Sequence, residues 1–81
     1  MAAPNFIETT DSSDQPYVEF DLSNGERMRL TRRFASWAQG DVMRIQIREV
    51  SGHLRPGPEL PVAQVADFLF AVGRLCLRPG E

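Results

Sequence analysis

The segment from Pro61 to Leu77 constrains this 81-residue chain more than any other. Pro61 suits the first turn of a helix because it has no N–H to leave unpaired. Arg78-Pro79-Gly80 is a stop signal, so the pattern predicts a helix from Pro61 to about Leu77. Gln64, Asp67, Ala71, Arg74 and Arg78 recur at steps of three and four and form one thin polar stripe. Most other positions are apolar, among them Val65, Phe68, Leu69, Val72, Leu75 and Cys76. A surface helix on its own sheet needs an apolar stripe of only about 100°. One side of this helix is expected to pack on the chain's own sheet, and the rest to form an exposed apolar patch, the mark of an interaction site. The economical partner is a second copy, because two-fold dimers are the commonest assembly. The expectation is a homodimer whose interface holds Val65, Phe68, Leu69, Val72, Leu75 and Cys76.

Ahead of the helix the apolar period changes to two, the period of half-buried strands. Val18, Phe20 and Leu22 alternate with Tyr17, Glu19 and Asp21. Ser23-Asn24-Gly25-Glu26 follows, and Asn-Gly is the strongest short hairpin signal because both residues tolerate positive φ. A second strand runs from Arg27 to Phe34, with Met28 and Leu30 alternating with Arg27, Arg29, Thr31 and Arg33. Ala35 to Asp41 reads as a loop. The third strand, Val42 to Val50, sets Met43, Ile45 and Ile47 against Arg44, Gln46 and Arg48. The fourth, His53 to about Gly57, is short and proline-rich and should be an edge or break early. The fold class is α+β: a four-stranded antiparallel β-meander followed by one C-terminal helix, over residues 17–81. Residues 1–16 are polar and acidic, punctuated by Pro4, Ser12, Ser13 and Pro16, and read as a disordered leader.

A chain of this length buries only about 60% of its unfolded surface, so it needs help to be stable. With Cys76 as the one cysteine, no disulfide within the chain can give it. A lone thiol fits a reducing, cytosolic compartment, a bacterial cytosol or a nucleus. No run approaches the ~20 apolar residues of a membrane span, and the N-terminus lacks the basic and apolar regions of a signal peptide. Oligomerisation is the remaining source of stability.

The net charge of −2 conceals an asymmetry: residues 1–26 carry −6 and no basic residue, while residues 27–81 carry +4 with nine arginines and no lysine. That division suggests an acidic tail on a polyanion-binding core, or a solvated leader beside ordinary surface arginines.

Catalytic patterns are not found. His53 and Cys76 are single, no cluster has metal-ligand spacing, and the glycines form no nucleotide-binding loop. Six of the eleven carboxylates fall in residues 1–26, and those of the leader cannot be tuned by burial for acid–base work. The chain is not expected to be an enzyme, and no cofactor is expected. The polar side of the strands is the feature with chemistry in it. Arg29 and Thr31 can lie beside Arg44, Gln46 and Arg48, and Arg27, Arg32, Arg33 and Arg55 would extend the patch. Guanidinium groups suit phosphate because their planar fork gives two parallel donors. Trp37 lies in the adjoining loop, beside Phe34. Rings next to a basic track bind single strands without sequence preference. Phe34 can equally plug the core, Trp37 can equally be structural, and Arg48 can be one half of a cross-strand ion pair.

Ile45-Gln46-Ile47-Arg48-Glu49, a short turn, Arg55-Pro56-Gly57, then Leu60 and Gln64 at the head of a helix resemble the positive cofactor four family of transcriptional coactivators. Phe20-Asp21-Leu22 and the Arg-rich stretch ending in Phe34 are compatible with that family's first strand, so the resemblance spans roughly residues 20 to 77. It implies a four-stranded sheet that dimerises through its helix, with single-stranded DNA crossing the curved outer sheets and no cofactor. By position it implies Arg48 at the DNA surface, Phe34 and Arg32 near it, and Arg55 as the basic residue of the Pro-Gly step. Alternation within this sequence would place Arg32 on the other face. The chain departs from the family in having Val50 and Ser51 where aromatics follow Arg-Glu, no lysine, a shortened Pro58-Glu59-Leu60-Pro61 approach to the helix, and a longer loop around Trp37.

Taken together, the expectation is a dimeric single-stranded nucleic-acid binder, coactivator-like, with Arg29, Arg32, Phe34, Trp37, Arg44, Arg48 and Arg55 on DNA or RNA and the transcription machinery as a further partner. The rival is a protein-interaction or regulatory module of the same fold that does not bind nucleic acid.

Overall fold

A computed structural model of the chain describes residues 6–34 and 40–77. It is an α+β fold: six strands in one antiparallel sheet and one C-terminal helix. The strands are β1 (Phe6–Thr10), β2 (Pro16–Asp21), β3 (Arg27–Arg33), β4 (Val42–Arg48), β5 (Leu54–Arg55) and β6 (Glu59–Pro61). A 3₁₀ turn, Val62–Gln64, leads into α1 (Val65–Cys76). The order across the sheet is β1-β2-β3-β4, and β5 and β6 both pair with β4.

The hairpin between β2 and β3 turns where Asn24-Gly25 predicts. Gly25 takes the left-handed conformation at φ 88°, while Asn24 uses its side chain to accept the Glu26 N–H at 3.0 Å. That turn fixes the register: Asp21 faces Arg27, Glu19 faces Arg29 and Tyr17 faces Thr31. Because side chains alternate across a sheet, one face carries the apolar rows Phe6–Phe20–Met28–Ile47 and Val18–Leu30–Ile45. The other face carries Tyr17, Glu19, Asp21, Arg27, Arg29, Arg33, Arg44, Gln46 and Arg48.

Two features of the sheet differ from the four-stranded meander expected. The first is β1, where the sequence suggests an unpaired leader. Phe6–Thr10 pair with β2 from Pro16 to Phe20, and the turn between them is closed by Asp11, whose Oδ1 accepts the N–H groups of Ser13 (2.8 Å) and Gln15 (3.0 Å). The alternation of this segment is short and mixed, so only the turn's Asx chemistry could have announced it. The second is the fourth strand: only Leu54–Arg55 of it pairs, as β5, and Glu59–Pro61 forms a further strand, β6, so that Pro61 ends a strand and the α-helix begins at Val65 instead of Pro61. Pro56 and Pro58 have no N–H to give a ladder, and between them Gly57 lies flat against β4: a Cβ there would sit 2.2 Å from the Ile45 carbonyl oxygen. The Ile45 N–H meets the Pro58 carbonyl at 2.9 Å, which carries the sheet across the interruption.

The helix differs more consequentially. It was expected to bury one side on its own sheet, yet no residue of α1 is buried, and among the described residues its substantial contact is with the 3₁₀ turn before it. Leu69, Phe70, Leu75 and Leu77 are between 62% and 78% exposed. The apolar sheet face is likewise only half covered, with a hollow of about 310 Å³ over Pro16, Val18, Leu30 and Met43. Val42 is the one apolar residue with less than a tenth of its surface exposed among those described. The radius of gyration, 14.2 Å, exceeds the ~12 Å of a closed domain of this length.

Gly57→Ala should lower stability by about 2 kcal/mol, because the added Cβ collides with backbone that cannot swing aside. Urea unfolding of the two proteins at equal concentration measures it; an unchanged midpoint would contradict the close approach.

Candidate nucleic-acid interface

The polar face of the sheet is built by three strands. β3 contributes Arg27, Arg29 and Arg33, β4 contributes Arg44 and Arg48, and β2 lays Tyr17, Glu19 and Asp21 alongside. Arg27 and Arg33 are six residues apart, about 20 Å along an extended strand. Arg29 lies flat on Tyr17, its guanidinium carbon 3.8 Å from the ring centroid, and its Nε donates to Thr31 Oγ1 at 3.4 Å. Stacking of this kind holds the guanidinium plane in place and leaves its edge for anions.

Carboxylates of the same chain occupy most of these edges. Arg48 Nε donates to Glu19 Oε1 at 2.6 Å, reaching across β3, and its Nη1 donates to the Gly52 carbonyl at 3.2 Å. Glu19 is only 4% exposed, so this pair is part of the structure: losing Glu19 would strand a charge partly cut off from water. Arg44 turns Nε (2.7 Å) and Nη2 (2.6 Å) onto the same oxygen of Glu59. Arg27 Nε is 3.1 Å from Asp21 Oδ1, but neither its Nε nor its Nη2 has an acceptor in hydrogen-bond geometry. Arg29 lies 3.8 Å from Asp11. Arg33 is the exception on this face, with no ion pair among the described residues and a buried Nε that lacks an acceptor.

The residues singled out by sequence do not all converge. Arg29, Arg44 and Arg48 share the polar face. Arg32 is opposite Met43 on the apolar side, as alternation requires, and is paired with Asp41 at 3.0 Å. Arg55 is in register with Ile47, also on the apolar side, and lies 3.6 Å from Glu49. Phe34 follows β3 in a turn and is half exposed, with the Arg32 guanidinium 5.6 Å from its ring centroid, so it does not plug the core. Trp37 lies outside the described residues. Of the helix residues assigned to an interface, Val65 is half-buried and Phe68, Leu69, Val72, Leu75 and Cys76 are exposed. Glu19, Glu59 and Asp11 are partners of the arginines that composition and charge do not single out. The signal for Glu19 was available, since an Asn-Gly hairpin closing at Leu22 and Glu26 places Glu19 beside Arg29.

Among the described residues no group of three or more His, Cys, Asp or Glu side chains is placed to hold a metal, and no helix is long and apolar enough to cross a membrane. Comparison with known proteins gave no match to a family model, a curated protein or a solved structure.

Asp11 carries a pH dependence. The Gln15 N–H, then the Ser13 N–H and the charges of Arg29 and Arg33, hold its carboxyl below the usual aspartate value. A pKa lowered by folding means that the ionised form favours the folded state. That contribution is complete above the unfolded value and disappears as pH falls through the folded one. Asp11→Asn keeps an oxygen for both N–H groups and removes only the charge. The stability gap between wild type and Asp11→Asn should therefore be constant near neutral pH and shrink below about pH 4. Urea unfolding across a pH series reads it, and a gap that widens on acidification would contradict the assignment.

Proposed function

We propose that the chain is one half of a homodimer that binds single-stranded nucleic acid on the polar sheet face, in the manner of a transcriptional coactivator. The observation that carries this reading is the convergence of five arginines from two neighbouring strands on one face, Arg27, Arg29, Arg33, Arg44 and Arg48, directly behind an apolar face that the described residues leave half covered. A second copy covering α1 and the apolar rows would leave the arginine faces outward. Phosphates would then be met by the guanidinium edges, and bases by rings beside the track such as Tyr17, on which Arg29 already stacks. The resemblance of residues 20–77 to the positive cofactor four family supports the same arrangement. The reading involves no cofactor and no catalytic step.

A second reading has its own observation. Of the five arginines on this face, Arg27, Arg29, Arg44 and Arg48 each lie 2.6 to 3.8 Å from a carboxylate of the chain, and Arg32 and Arg55 on the other side are paired as well. A face so largely self-neutralised suits a protein-interaction module that dimerises and does not bind nucleic acid.

Anisotropy of a labelled oligonucleotide of about 20 nucleotides, single- or double-stranded, titrated through a salt series separates the two. The first reading predicts preference for the single strand and a log–log salt slope of roughly −3 to −4, for four to six phosphates neutralised. Arg33→Gln and Arg44→Gln should each weaken binding and flatten that slope. A folded protein that binds no strand at low salt would leave the interaction module standing.

A further inference from the structure

The carboxylates on the polar face are not equally built in. Glu19 is enclosed beneath Arg48. Asp11 also closes the β1–β2 turn through two backbone N–H groups. Glu59 does neither. It enters from β6, directly opposite Arg44, and the two side chains are about equally open to water, 28% and 32% exposed. Its one hydrogen-bonded partner among the described residues is Arg44, and a single oxygen takes both Nε and Nη2.

That geometry occupies the guanidinium edge a phosphate oxygen would use. Exposed ion pairs of this kind contribute little to stability, so the pair is exchangeable where Glu19–Arg48 is not. We propose that Glu59 is a built-in counter-ion of Arg44, which a bound strand must displace, and that it weakens binding and confines it to ligands bringing several phosphates at once. The proposal rests on the nucleic-acid reading above. A lone phosphate at Arg44 only trades one ion pair for another and leaves a carboxylate beside the newcomer. A strand that also reaches Arg33, which among the described residues has no ion pair to give up, gains from the exchange.

The test is Glu59→Gln in the full chain, assayed with the single-stranded 20-mer beside wild type, Arg44→Gln and Asp67→Asn. Asp67 lies exposed on α1 and controls for the change in net charge. Glu59→Gln should tighten binding about three- to fivefold, the scale of an exposed ion pair. It should also steepen the log–log salt slope by up to about 0.7, one further phosphate neutralised. Asp67→Asn should change affinity less than about twofold, the small effect of a distant, screened charge. Inorganic phosphate at matched ionic strength should compete no better than chloride. Wild-type affinity and slope in Glu59→Gln, with Arg44→Gln weakened, would overturn the counter-ion while leaving the nucleic-acid reading intact. Equal tightening by Asp67→Asn would overturn it as a bulk charge effect, and strong competition by inorganic phosphate would overturn the restriction to polyanions. Absence of binding by every variant would overturn the nucleic-acid reading and this proposal together.

Discussion

The architecture turns on an apolar surface that the described residues leave only partly covered. Hydrogen bonds across a sheet exchange water partners for protein partners and leave a modest net gain. A sheet-and-helix domain therefore depends on burying its apolar rows, at about 25 cal/mol for each Å² removed from water. Here Phe20, Met28 and Ile47 line up with Val18, Leu30 and Ile45 on one face of the sheet, and Phe68, Leu69, Val72 and Leu75 line one side of α1, but the two surfaces are not closed on each other. The helix leaves the sheet through β6 and the 3₁₀ turn, held by the Val62 N–H on the Asp41 carbonyl at 3.0 Å. The dimer proposed above resolves this by lending each copy the cover it lacks.

Function, on the same account, falls to the opposite face. With the apolar rows turned toward a partner, the arginine side is left to meet other molecules. Its acids and bases come from consecutive strands, which explains the charge asymmetry of the sequence. The acidic first third is not simply a tail beside a basic core, because Asp11, Glu19 and Asp21 fold back onto Arg29, Arg48 and Arg27. The face is consequently a graded one, with an enclosed pair at Arg48, a turn-bound carboxylate near Arg29, a more open pair at Arg44 and, among the described residues, no ion pair at Arg33.

The meander and helix were legible because local rules agreed. Alternation and the Asn24-Gly25 turn point to the strands observed, and the apolar pattern after Gln64 to the helix, whereas Pro61 ends β6 instead of opening α1. β1 was not legible, since Phe6–Thr10 has too few alternating apolar residues to outweigh the acidic composition around it, and its pairing depends on the turn held by Asp11. The split of the fourth strand was half legible: its prolines foretell a break, but that Gly57 presses on Ile45 is a tertiary fact. For the candidate site, alternation correctly gathered Arg29, Arg44 and Arg48 and separated Arg32 from them. Position within a resembled motif carried no information on pairing, so the sequence did not reveal that Arg44 would meet Glu59 from a strand lying beyond the Pro-Gly step.

The central claim is that the fold closes only between two copies. Sedimentation equilibrium of the full chain across a wide concentration range, repeated with Leu69→Glu and Leu75→Glu, tests it directly. The account predicts a species of twice the 9.1 kDa chain mass for wild type. For the variants it predicts dissociation accompanied by loss of cooperative unfolding, because a charge on the apolar stripe of α1 cannot be buried unpaired. A wild-type chain that sediments as a monomer, and unfolds cooperatively at a midpoint independent of concentration, would contradict it.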